Sequence, residues 1–126
     1  MKGGMVLLLL TGAVAAVVAT AGATAPPVGA LPKGQVTTIT TPSQGYVSVV
    51  LNRGQSGLVW RVARPYDTRI VVQTTEADLG DLTVWVFRTV KPGSATLRFA
   101  LTNGEHPKAY QAATYHLIVK PRINAP

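Results

Sequence analysis

Two histidines and five acidic residues carry whatever proton chemistry this chain can do, and their spacing suits it poorly. His106 sits beside Glu105 in "GEHPKAY". Adjacent side chains of an extended segment point apart, so this pair makes neither a dyad nor a chelate. His116 falls mid-strand on a polar face and reads as a solvated histidine. A metal centre needs three or four ligands, and no such set assembles. Glu76, Asp78 and Asp81 cluster in "EADLGD". A calcium loop also brings oxygen ligands together, but this spacing matches no EF-hand, and a solvated loop is the simpler reading. Ser56 stands in "GQSG", not in the Gly-x-Ser-x-Gly elbow that joins a strand to a helix. The chain has no cysteine, which excludes disulfides and thiolate sites. The expectation is a protein that is not an enzyme and holds no metal or cofactor.

Loops that could serve as contacts are left. Their use depends on the elements that carry them. β-branched and aromatic enrichment with period-2 alternation predicts seven strands. They are β1 over Val36–Thr41, β2 over Tyr46–Leu51, β3 over Leu58–Ala63, β4 over Ile70–Thr75, β5 over Leu82–Val90, β6 over Ser94–Leu101 and β7 over Thr114–Lys120. In β6, Ala95, Leu97, Phe99 and Leu101 share one face. In β7, Tyr115, Leu117 and Val119 do so, with Thr114, His116 and Lys120 opposite. β5 is apolar on both faces, which suits a central strand. Trp60, Trp85 and Phe87 read as core residues. In "KPGS", Pro92 and Gly93 suit the corners of a tight turn. Seven strands with such turns predict an all-β, immunoglobulin-like sandwich. If successive strands are antiparallel, connections alternate between its two ends. The loops over Asn52–Gly57, Glu76–Asp81 and Thr102–Ala113 then share one end, and loops held by a rigid scaffold are where binding residues concentrate.

The N-terminus has a different character. Lys2 precedes an uncharged run, Met5–Ala25, that ends in small residues. This is the layout of a secretory signal peptide. Cleavage after Ala21 or Ala23 is expected over Ala25, because Pro26 would follow that cut. An uncleaved membrane anchor is the alternative, since about 20 apolar residues span a bilayer. The expected organisation is a leader over residues 1–23, a Pro/Gly-rich linker over 24–34, the sandwich over 35–121 and a tail over 122–126. The protein is expected to be exported: periplasmic, extracellular or associated with the cell envelope. Its net charge of +7 suits acidic surfaces or an acidic partner. Nucleic acid is not expected as a partner, and a membrane only if the leader is retained.

"GQSGLVWRV" (Gly54–Val62), "DLGDLTVWVFRTVKPGSATLRF" (Asp78–Phe99) and "TNGEHPKAYQAATYHLIV" together resemble the chagasin-like inhibitors of papain-type cysteine peptidases. The resemblance covers about Val36 to Lys120. It implies a small exported immunoglobulin-like protein that wedges its β2–β3, β4–β5 and β6–β7 loops into the peptidase cleft. Gln55, Ser56, Gly57, Gly80, Asp81, Glu105, His106 and Pro107 would be the contacts. The family's first loop is Asn-Pro-Thr-Thr-Gly followed by an aromatic. Here Gly57 and the hydroxyl of Ser56 carry over. Of the paired glycines of its second loop, Gly80 remains. In the third, Pro107 is shifted and has no aromatic beside it. Gly54–Gly104 is also similar to the N-terminal domain of secretin-type pilus and secretion proteins, which implies an envelope or pilus assembly component. A glycan-binding or adhesion module is a third reading and would need exposed aromatic rings.

Overall fold

The computed structural model describes residues 27–54, 57–103 and 106–123. The apolar leader lies outside the described residues, as do Gln55, Ser56 and Glu105. The described residues form seven strands and no helix. The strands are β1 (Gln35–Pro42), β2 (Tyr46–Asn52), β3 (Val59–Val62), β4 (Val71–Leu79), β5 (Leu82–Thr89), β6 (Gly93–Thr102) and β7 (Gln111–Lys120). One sheet has the order β1-β7-β6-β3 and the other β2-β5-β4. β1 runs parallel to β7, and every other pairing is antiparallel. This is the immunoglobulin-like sandwich that the alternation predicts.

Alternation also fills the core. Val47, Val49 and Leu51 of β2 meet Trp85 and Phe87 of β5, and these face Leu97, Phe99 and Leu101 of β6 and Tyr115, Leu117 and Val119 of β7. The aromatic rings form a chain through the middle. Tyr66 packs edge-on to Phe87 at 5.8 Å, Phe99 edge-on to Tyr115 at 5.8 Å, and Trp85 lies 4.6 Å from Phe99. Such pairs contribute roughly 1 kcal/mol each beyond the area they bury. β5 is the central strand of its sheet. Its outward Val84 is flanked by Val50 and Ala77, and its outward Val86 by Ser48 and Thr75. The partial cover of that face therefore comes from neighbouring strands.

Two strand bounds differ from expectation in a way that matters for function. β4 continues to Leu79, so Glu76 and Asp78 are strand residues and the expected Glu76–Asp81 loop shrinks to the turn Gly80–Asp81. A bulge between Gln73 and Thr75 inserts one residue and exchanges the two faces of the strand beyond it. Before the bulge, Val71 pairs with inward Thr89. After it, Glu76 pairs with inward Trp85 and Asp78 with inward Thr83. A fixed period of two loses the strand at that point. β7 starts at Gln111 rather than Thr114, because Ala112 and Ala113 complete the ladder opposite Ala100 and Phe99.

Candidate binding end

Topology settles where the loops lie. β2 ends and β3 begins at the same end of the sandwich as the β4–β5 turn, the β6–β7 loop and the start of β1. Gly57, Gly80, Asp81, His106 and Pro107 all fall at this end.

The first loop is held at its base from both sides. The Asn52 side chain accepts the Gly54 N–H at 2.6 Å, closing an Asx turn. The Trp60 indole N–H donates to the Asn52 carbonyl at 3.0 Å, so one buried ring serves both the core and the loop. Gly54 and Gly57 have φ of 68° and 75°. The second connection is a two-residue hairpin between paired Leu79 and Leu82. Gly80, its first residue, has φ of 59°, the left-handed region in which a Cβ is disfavoured.

Arg53 joins these two loops. Its backbone N–H donates to the Asp81 carbonyl at 2.7 Å, Nη2 donates to the Gly80 carbonyl, and Nη1 pairs with Asp78 Oδ2 at 2.9 Å. The other Asp78 oxygen accepts the hydroxyl of buried Thr83 at 3.0 Å. The Arg53 side chain is 17% exposed and that of Asp78 is 61% exposed. A charge-assisted pair half-withdrawn from water holds its geometry better than a fully exposed one.

The third loop is organised by Asn103, whose side-chain oxygen accepts the His106 N–H at 2.9 Å. The Tyr110 N–H returns to the Leu101 carbonyl at 2.8 Å, and Lys108 Nζ lies 5.0 Å from the centre of the Tyr110 ring. A cavity of about 330 Å³ opens nearby, with Lys33, Asn52, Trp60 and Gln111 among its lining residues.

Among the described residues, no group of three His, Asp or Glu is placed to hold a metal ion. His116 is bound to Thr96 Oγ1 at 3.1 Å on the outer face of the four-stranded sheet, away from the loops. This end can present shaped backbone and side chains to a partner. Sequence reasoning missed Arg53, the exposed Leu79 and Leu82 that flank the Gly80 turn, and exposed Tyr110. For Arg53 a signal existed: one arginine beside a glycine turn, with an acidic cluster to match it elsewhere in a sparsely charged chain.

Fold and loop geometry together define a small immunoglobulin-like sandwich with one loop-bearing end. Among solved structures, the chain is similar to the cysteine protease inhibitor EhICP2 from Entamoeba histolytica. The TM-score is 0.53 at 13% identity, over 71% of this chain and 99% of that one. It also aligns with PbICP-C, solved in complex with falcipain-2, with a TM-score of 0.49 at 14% identity, over 77% of this chain and 99% of that one. No protein-family model matches the chain, and no curated protein matches it. At these identities the likeness to EhICP2 is one of fold.

Proposed function

We propose that the protein inhibits papain-type cysteine peptidases by inserting its loop-bearing end into their cleft. The observation that carries this reading is the Arg53 clamp, which ties the first loop to the Gly80–Asp81 hairpin on a fold shared with a cysteine protease inhibitor. A peptidase cleft accepts extended backbone. An inhibitor survives there when its backbone is held in a shape that cannot reach the geometry of cleavage, and preorganised turns supply that at little entropic cost on binding. Gly57, the Gly80–Asp81 turn, His106 and Pro107 are the proposed contacts, with Leu79 and Leu82 adding apolar surface beside the hairpin. Export, by cleavage after Ala21 or Ala23, belongs to the same reading. The fold comparison gives no support to the envelope-assembly alternative.

The experiment is titration of papain and several related enzymes with the purified protein. The expected result is stoichiometric, reversible inhibition. No inhibition of any of them at micromolar excess overturns the reading. N-terminal sequencing of the native protein tests the export step.

A further inference from the structure

Residues 27–34 read as a linker in the sequence, yet they are built into the sandwich. Val28 is buried, at 7% exposure. Arg64, just beyond β3, donates from Nη1 to the Val28 carbonyl at 2.9 Å and from Nη2 to the Gly29 carbonyl at 2.8 Å. The Gly29 N–H then donates to the Pro107 carbonyl at 2.8 Å, in the third loop. At the other end of the segment, Gly34 lies so close to β7 that a Cβ on it would sit 1.8 Å from the Ala112 carbonyl oxygen.

The sheet beneath is prepared for this crossing. Phe99, Leu101 and Ala113 point into the core, so Ala100, Thr102 and Ala112 point outward by alternation. Outward residues of a solvated sheet should be exposed. Ala100 and Thr102 are instead fully buried, and Ala112 is 9% exposed. Two alanines and a threonine leave room above the sheet, and Gly34 of the 27–34 segment lies directly against Ala112 there.

We infer that residues 27–34 form a strap that is a working part of the binding end, and that Arg64 is a positioning residue for the third loop, acting through Gly29. The link to that loop is the Gly29–Pro107 hydrogen bond. A chain packed against Ala112 and held by Arg64 therefore sets the position of His106 and Pro107. This inference rests on the inhibitor reading for its functional consequence, but not for its structural one.

The test uses the whole chain with Arg64→Met, which keeps the apolar stem and removes both donors, and separately Gly34→Ala, which forces the other end of the strap off β7. Amide hydrogen exchange is read at Gly29, His106 and Tyr110, and inhibition of papain is measured alongside. Both variants are expected to speed exchange at these three amides by roughly tenfold, as for loss of a net charge-assisted hydrogen bond. Exchange in β5 should stay unchanged, and Arg64→Lys should recover part of the protection. Gly93→Ala, at the opposite end, serves as a control that lowers stability without loosening the loop. Exchange at His106 and Tyr110 that is unchanged in both folded variants, or no faster than in the control, overturns the inference. If exchange rises while the unmodified protein inhibits no peptidase, the strap stands and the inhibitor reading falls.

Discussion

The two ends of the sandwich use the same residue type in opposite ways. At the closed end Gly93 has φ of 147°, which favours glycine, and a Cβ there would lie 2.6 Å from Ile70 Cδ1, so any side chain would have to push the Ile70 tip aside. At the loop end Gly54, Gly57 and Gly80 also have positive φ, yet no described atom lies within 4 Å of where a Cβ would sit. Polar groups differ in the same sense. Thr89 is fully buried at the closed end; its hydroxyl donates to the Pro42 carbonyl at 2.9 Å and accepts the Gly45 N–H at 2.8 Å. The Ser43 N–H meets the Lys120 carbonyl, and Arg122 Nε returns to the Ser43 carbonyl. The loop end has a clamp and caps at its base and open space around its turns. One end is finished as a solid; the other is tied at its base and open around the described glycines of its turns.

If that contrast is right, stability and inhibition should separate by end. Thr89→Val gives the largest stability loss. It removes both hydrogen bonds of the buried hydroxyl and leaves the part-buried Gly45 N–H short of a partner, at a cost of about 2–3 kcal/mol. Urea unfolding should show this loss, while inhibition per folded molecule stays the same. Weaker inhibition in the folded variant would break the comparison. Arg53→Met comes next. Asp78 is largely in water and tolerates the loss, so stability should fall by only ~1 kcal/mol. Two loops lose their common tether, and inhibition should weaken by about tenfold or more, the equivalent of ~1.4 kcal/mol in binding. Gly57→Val should cost about 1–2 kcal/mol, because a β-branched residue is disfavoured in the left-handed region. It should abolish inhibition in a protein whose core spectrum is intact. Unchanged inhibition would make that turn only a turn.

Much of the fold was legible because alternation depends on residues only two apart. Ala95, Leu97 and Phe99 announce the inner face of β6 with no knowledge of partners, and strand count alone sends three loops to one end. The site was less legible because its contacts are long-range. Nothing near Arg53 in the sequence names Asp78 or the Gly80 carbonyl as its partner. The bulge at Thr74 exchanges the faces of β4, so Asp78, the carboxylate that the arginine needs, reads as part of a loop rather than the end of a strand. The strap was hidden for a related reason. Proline, glycine and alanine in residues 27–34 carry no periodicity, and the sign that something covers β6 is a pair of outward alanines that reads as weak strand, not as a seat.

The smallest expected effect is a pH dependence that belongs to the closed end. Arg69 donates from Nε and Nη2 to the two Asp67 oxygens at 3.0 and 2.9 Å, and its backbone N–H adds a third bond at 3.0 Å. These bonds hold the Asp67 carboxyl below the usual aspartate value. A depressed folded value means the unfolded chain binds the proton first as pH falls. The stabilisation is therefore present above the ordinary aspartate range and is lost as pH drops through the folded value. Tyr66, beside Phe87, lies on the alkaline side. Burial pushes its phenol above the ordinary value of 10.0, with a backbone hydrogen bond at Gln73 partly opposing. Its stabilisation is complete below that value and is lost as pH rises through the folded one. Asp67→Asn should flatten the acid limb of the urea midpoint, and Tyr66→Phe the alkaline limb, each by a small margin because the Asp67 pair stands in water and Tyr66 is only half-buried. Neither should alter inhibition at neutral pH, since neither residue reaches the loops. A variant that flattened its limb and also weakened inhibition would show the two ends to be coupled through the aromatic chain that runs from Tyr66 to Tyr115.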